Sequence, residues 1–218
     1  MKKYWVSIVI ILLAGYFWFF SNSIPDGNPN EFVHSGVIVV FGDSLTAGHG
    51  VEEQQNYPAL LQFRLNQEGY PHYNVLNFGI DGDTTKDGLE RTETLFEHQP
   101  EIVIVALGAN DAFQRVPLEE TRKNLKKILE KIQNHKAKII LAGIVPPPTR
   151  GFSYIGAFEE MYKELAREFD AVLMPSLLSG VMLRSEYNLS DNIHPNPAGY
   201  RIITDNLWSY VHILLRKE

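Results

Sequence analysis

No cysteine occurs anywhere in the chain. That absence excludes a disulfide framework, a thiolate zinc site, a cysteine nucleophile and attachment of lipid through a lipobox-type cysteine, although it does not fix the redox compartment. Cations are also few: 20 Lys and Arg stand against 26 Asp and Glu. A protein that depends on nucleic acid needs a basic surface to neutralise phosphates, so nucleic acid is excluded as an obligate partner. Two cofactor signatures are missing as well, a His-x-x-x-His zinc pattern and a Gly-x-x-x-x-Gly-Lys-Ser/Thr phosphate loop, and no metal or nucleotide cofactor is expected. There is no internal repeat and no low-complexity segment. What remains, 218 residues with 44% of them hydrophobic, is enough for one globular domain with a real core and a short appendage.

The appendage is N-terminal. Lys2 and Lys3 precede an uncharged run over residues 4–20 whose one clearly polar member is Ser7. Being apolar on every face, the run does not read as a core helix with one buried stripe. At about 17 residues it is just long enough to span a bilayer. The terminal Phe17-Trp18-Phe19-Phe20 suits a membrane interface and favours an uncleaved anchor, while Ser21 and Ser23 permit signal-peptide cleavage. The expected organisation is therefore a signal anchor or signal peptide over 1–23, a polar linker over 24–36 and a globular domain over 37–218. The two lysines should stay cytoplasmic and the domain should lie outside.

From Val37 onward, short β-branched runs alternate with helix-length amphipathic stretches, the pattern of a parallel sheet covered by helices. Strands are predicted over 37–41, 74–78, 102–107, 138–145 and, shorter, 171–174; most are continuous apolar runs, as for strands buried on both faces. Helices are predicted over 57–68, 85–98, 118–135, 158–169 and 197–215. The fold class is α/β, a three-layer α/β/α sandwich around a five-stranded parallel sheet. In helix 118–135, Leu125, Ile128, Leu129 and Ile132 make an apolar stripe, and Arg122, Lys123, Lys126, Lys127 and Lys131 fill the remainder. A solvated face explains them better than contact with anionic lipid headgroups.

Four segments carry the polar chemistry, each at a strand exit or before the last helix, and the carboxyl edge of a parallel sheet is where ligands bind. Gly42-Asp43-Ser44-Leu45-Thr46 follows the first strand and sets Ser44 on a strand-to-helix turn, where it serves equally as an ordinary helix cap or as a nucleophile with a free amide. Gly79-Ile80-Asp81-Gly82-Asp83-Thr84-Thr85 follows the second and offers Gly79 or Gly82, at which the backbone can approach a substrate oxygen. Leu107-Gly108-Ala109-Asn110-Asp111 ends the third and presents the Asn110 amide. Asp191-Asn192-Ile193-His194-Pro195 precedes the last helix, which Asn196 caps and Pro197 starts. A carboxylate three residues from an imidazole can hold one ring nitrogen and leave the other to take a serine proton. Each segment alone has a bland structural explanation; all four in this order do not.

Together these residues resemble the GDSL, or SGNH-hydrolase, family: Gly42-Asp43-Ser44-Leu45 is similar to its first block, and Gly82, Gly108-x-Asn110 and Asp191-x-x-His194 to the later ones. The resemblance covers roughly 37–218 and is nearest to the bacterial arylesterase, acyl-CoA thioesterase I and lysophospholipase L1 group, with Tyr57-Pro58-Ala59-Leu60-Leu61, Gly82-Asp83-Thr84 and Glu168-Phe169-Asp170 resembling its intervening segments. It implies a flavodoxin-like sheet. It also implies Ser44 as nucleophile, His194 as base, Asp191 as orienting acid, and the Ser44 amide, the Gly82 amide and the Asn110 side chain as an oxyanion hole. Gly82 is preferred to Gly79 because Asp-Thr follows it as in the family segment. Gly-x-Ser-x-Gly, the α/β-hydrolase elbow, is not met, since Thr46 holds the second glycine's place. His49, five residues after Ser44, is a rival base; its place in Gly48-His49-Gly50 suggests a mobile loop, and no carboxylate is tied to it by sequence.

The implied reaction is hydrolysis of an acyl ester or thioester, lysophospholipid included, through an acyl-enzyme. Segments 112–118 and 145–154, the latter with Pro146-Pro147-Pro148, Phe152 and Tyr154, are candidate walls for an acyl pocket. A carbohydrate O-deacetylase of the same fold and a non-catalytic extracytoplasmic binding module are the alternatives. Oligomeric state is not legible.

Overall fold

The computed structural model describes residues 36–215; the expected anchor, and the expected linker up to residue 35, lie outside the described residues. One sheet contains β1 (Gly36–Gly42), β2 (Tyr73–Gly79), β3 (Ile102–Ala106), β4 (Lys138–Ala142) and β5 (Val172–Met174). Its order is β2-β1-β3-β4-β5, with every neighbouring pair parallel. Parallel neighbours require crossovers. These are α1 (Ser44–Ala47) and α2 (Tyr57–Gln67) between β1 and β2, then α3 (Thr85–Arg91), then α4 (Ala109–Gln114) with α5 (Leu118–Asn134), then α6 (Phe152–Glu168); α7 (Pro197–Leu214) closes the chain. α2 packs on α7, while α5 packs on α3 and α6, which gives the three expected layers. The winding reverses between β1 and β3, and such a reversal opens a crevice at the carboxyl ends of the strands. No helix among the described residues is long and apolar enough to cross a membrane.

Burial follows position in the sheet. Residues 38–41 of β1 and all of β3 are fully buried, because each strand has neighbours on both sides and helices on both faces. β2, predicted to be buried on both faces, is an edge strand instead, and residues 74–78 are partly or fully exposed. The stripe Leu125, Ile128, Leu129 and Ile132 is buried as expected. On the outer face of α5, Arg122, Lys126 and Lys131 pair with Glu164, Glu168 and Glu93, so much of its positive charge is balanced locally rather than offered to an anionic surface.

Three predicted boundaries move, each for a local reason. The helix expected over 85–98 is α-helical only to Arg91 and continues as a 3₁₀ turn over Thr92–His98; the Thr92 and Thr94 hydroxyls donate to the carbonyls of Gly88 and Arg91, competing with continued helical bonding. The strand expected over 138–145 stops at Ala142, after which the Gly143 amide turns to the carbonyl of Met174 and the Gly143 carbonyl to the amide of Leu177. α6 begins at Phe152 rather than 158: Gly151, at φ 86°, re-aims the chain after the prolines and its carbonyl receives the Ile155 amide.

Two glycines show how tightly the carboxyl edge is built. A Cβ on Gly42 would lie 2.0 Å from Thr46 Oγ1 and 2.7 Å from the Ala106 carbonyl oxygen, and one on Gly79 would lie 2.1 Å from the Ala47 amide nitrogen. Backbone cannot retreat as a side chain can. Gly79→Ala should therefore destabilise the fold by about 2 kcal/mol or more through overpacking. Gly156→Ala, inside α6 with nothing within 4 Å of its added Cβ, should stabilise it by about 0.5–1 kcal/mol. Urea-unfolding midpoints check both, and equal shifts for the two variants would contradict this account of the edge.

Candidate active site

β1 delivers Ser44 to the first position of α1. Asp43 is the N-cap, its Oδ1 accepting the Leu45 amide at 3.0 Å, and the Ser44 amide, as an orphan of the first helical turn, makes no hydrogen bond among the described residues. Across 150 positions of sequence, Ser44 Oγ lies 3.0 Å from His194 Nε2. The opposite ring nitrogen, Nδ1, lies 2.7 Å from Asp191 Oδ2.

The segment that carries His194 is rigid for reasons written in its residues. Asp191 Oδ1 accepts the amides of Ile193 and His194 at 2.9 and 3.0 Å, an Asx-type turn that Asn192 permits by taking φ 57°. The Leu189 amide donates to the His194 carbonyl. Asn196 then caps α7 by accepting the Ala198 and Gly199 amides. An ionised carboxylate only accepts, so Nδ1 carries the ring hydrogen and Nε2 is free to accept from the Ser44 hydroxyl. Burial raises the Asp191 carboxyl, but bonds from the His194 ring and from the Ile193 and His194 amides outweigh it and bring it down to about 2.

Asn110 stands on α4 beside the hydroxyl. One of its amide hydrogens holds the Asp83 carbonyl at 2.9 Å; its other has no partner among the described residues. Gly82 precedes Asp83 in the β2–α3 loop, at φ 84°, and its amide has no hydrogen-bond partner among the described residues. The Gly79 amide, in contrast, is occupied by Asn77 Oδ1 at 2.9 Å. Ser44, Asn110 and His194 share the wall of one cleft of about 300 Å³, and Gly82 is tied to that wall through Asp83.

Apart from those three residues and Asn192, the cleft is apolar. Ala112 and Phe113 come from one expected wall and Val145, Pro146 and Pro147 from the other. Phe152 and Tyr154 do not line it: Phe152 is 92% exposed, and Tyr154 turns onto Phe158. Their place is taken by Leu178, Met182 and Leu183 after β5, a stretch with no periodicity to mark it in the sequence.

Beneath the site lies a set of acids whose roles the sequence did not reveal. Asp83 binds Arg91 Nε at 2.6 Å, and Arg91 Nη2 also donates to the Gly42 carbonyl. Asp111, fully buried, accepts the Thr85 amide and hydroxyl and the Thr121 hydroxyl. Asp43 is fully buried, and its Oδ2 has no partner among the described residues. Burial chiefly, helped by the charges of Asp83 and Asp111 and opposed by the Leu45 amide, pushes its carboxyl up to about 7. The eight-residue spacing from Asp83 to Arg91 on either side of the α3 start was the one available signal.

His49 has a carboxylate that its sequence neighbourhood does not supply: Asp81 Oδ2 lies 2.6 Å from Nδ1, and the His49 ring lies against that of His194 with centroids 4.3 Å apart. The ring that hydrogen-bonds Ser44 is that of His194, not His49.

A hydroxyl, an imidazole and a carboxylate in one hydrogen-bonded line, beside an apolar cleft at the switch point of a parallel sheet, define the arrangement used by serine hydrolases. Residues 40–202 match the model of the GDSL-like Lipase/Acylhydrolase family. Esterase TesA of Pseudomonas aeruginosa is 36% identical over 179 residues, 82% of this chain and 89% of that protein. Thioesterase 1/protease 1/lysophospholipase L1 of Escherichia coli K12 is 35% identical over 169 residues, 77% and 79% of the two chains. The crystal structure of TesA matches with a TM-score of 0.79 at 36% identity, covering 82% of this chain and 99% of that one. The chain belongs to the GDSL-like lipase/acylhydrolase family, and it is an ester-hydrolysing enzyme of the SGNH fold.

The Asp43 environment carries a pH prediction. A carboxyl raised in the fold keeps a proton that the unfolded chain releases, so between the ordinary 3.8 and about 7 rising pH removes stability, and above that window the loss is complete. Asp43→Asn keeps the acceptor for Leu45 but cannot ionise. From pH 4.5 to 8 its urea midpoint should rise relative to the unsubstituted protein by the equivalent of about 1–3 kcal/mol; parallel pH profiles for the two proteins would contradict it.

Proposed function

We propose that the enzyme is a serine esterase acting on acyl esters and thioesters through Ser44, His194 and Asp191. The observation that carries this reading is the continuous hydrogen-bond line from Ser44 Oγ through His194 to Asp191. Ser44 Oγ attacks the acyl carbonyl carbon as its proton passes to His194 Nε2, and Asp191 stabilises the imidazolium that forms. The carbonyl oxygen becomes an oxyanion, received by the Ser44 amide, the Gly82 amide and the free amide hydrogen of Asn110. The intermediate collapses, the carbon–oxygen or carbon–sulfur bond breaks, and the alcohol or thiol leaves with the proton from His194. Water then attacks the acyl-enzyme, giving its proton to His194, and the free carboxylic acid departs as Ser44 recovers its hydrogen.

The apolar cleft beside Ser44 suits a fatty acyl chain, with Phe113, Met182 and Leu183 among its walls. The similarity to a protein named thioesterase and lysophospholipase supports the same choice. Ser44→Ala removes the nucleophile with little change in volume, and turnover of p-nitrophenyl esters of graded chain length should fall by about 10⁴-fold or more across the series with the urea midpoint kept. Retained turnover would overturn the reading.

The domain works outside the cytoplasmic membrane, tethered by residues 4–20 and joined to them by the linker over 24–36; this reading rests on Lys2, Lys3 and the apolar run that follows. Removing residues 1–23 should move esterase activity from the membrane fraction to the soluble one. Activity that stays with the membrane would count against the tether.

A further inference from the structure

Acyl transfer through Ser44 uses one imidazole–carboxylate pair, yet a second stands beside it. His49 Nδ1 lies 2.6 Å from Asp81 Oδ2, and the His49 ring lies 4.3 Å from that of His194, centroid to centroid, with the planes inclined by 35°. Core packing does not explain this ring, because the His49 side chain is 48% exposed.

The Gly48-His49-Gly50 turn is also held far more firmly than a loose loop. The His49 amide donates to the carbonyl of Ser44 itself at 3.1 Å. A Cβ on Gly48 would lie 2.6 Å from Asn56 Cβ, and one on Gly50 would lie 2.4 Å from Leu189 Cδ1. The turn is thus wedged between the cap of α2 and the segment that carries His194, while its side chain is anchored to the β2–α3 loop.

From this geometry we infer that His49, anchored by Asp81, is a positioning residue for His194: its ring bears on one face of the imidazole and keeps it in register with Ser44. The inference rests on the reading of Ser44 as nucleophile and His194 as base. Bonds at Nδ1 and Nε2 hold the imidazole in its plane, and a face contact is what resists tilting. The contact matters most after acylation. Ser44 Oγ is then esterified and no longer donates to Nε2, so Asp191 at Nδ1 and the His49 ring on its face gain weight in holding the group that must deprotonate water. Misplacement of a base by a fraction of an ångström costs rate rather than binding.

The test separates the ring from the hydrogen bond. With p-nitrophenyl butyrate as substrate, His49→Ala should lower kcat roughly ten-fold without raising KM. His49→Phe, which keeps a ring, should recover to within about three-fold of the unsubstituted enzyme, whereas His49→Gln, which keeps a polar group for Asp81 but no ring, should stay as slow as His49→Ala. Urea midpoints report folding for each variant. An unchanged kcat in His49→Ala, a loss confined to KM, or a Phe variant as slow as the Ala variant would each overturn the proposal. Ser44→Ala is measured alongside: if it is inactive while His49→Ala is not impaired, the positioning role alone fails, and if it retains turnover, the nucleophile reading fails and this one with it.

Discussion

Three stretches of backbone meet at the carboxyl end of β1 with no room for a side chain, and the site is built on that approach. Gly42 pairs with Gly79 of β2 on one side and Ala106 of β3 on the other. Its carbonyl receives the Ile80 amide and the Arg91 guanidinium, and Thr46 folds back over it closely enough that a Cβ would lie 2.0 Å from the threonine oxygen. The chain can therefore turn into α1 within two residues and present Ser44 at the crevice between β1 and β3. Gly82 and Asn110 reach the same place because they leave the two strands that flank β1. His194 arrives from the far end of the sequence on a turn whose own hydrogen bonds fix its backbone, while its ring meets that of His49.

Around that point the protein gathers carboxylates and compensates each differently. Asp83 has a guanidinium, Asp111 has hydroxyls and an amide, and Asp43, with one oxygen unpartnered, leans towards its protonated form. Asp191, more exposed and bonded by a ring and two amides, stays ionised far below neutrality. One chemical group thus meets four environments. The difference matters for the proposed mechanism, because an oxyanion developing at Ser44 would be opposed by any uncompensated negative charge close by and in low dielectric. In the proposed mechanism a charged Asp191 stabilises the imidazolium, and balanced charges beneath the serine spare the oxyanion.

Much of this was legible in the residues. The β-branched runs marked the strands because β1 and β3 are buried on both faces, and Asn196-Pro197 marked the start of α7 because capping chemistry is local. The spacing of Asp191 and His194 was readable for the same reason. What could not be read depends on contacts far apart in sequence: that β2 is an edge strand, that Leu178, Met182 and Leu183 rather than Phe152 and Tyr154 line the cleft, and that Asp81 finds His49 across 32 positions. The 3₁₀ continuation after Arg91 lay between these cases, since Thr92 and Thr94 signal competition for backbone carbonyls but not how far it runs.

The claim that most of this account supports is that Ser44 is the atom donor to the acyl-enzyme. Treating the folded protein with a fluorophosphonate and mapping the adduct by mass spectrometry of peptides tests it directly. The account predicts one phosphonyl group, on the peptide that contains Gly42-Asp43-Ser44-Leu45 and on Ser44 within it, with esterase activity lost in proportion to labelling. Labelling of another residue, or full activity in fully labelled protein, would contradict it.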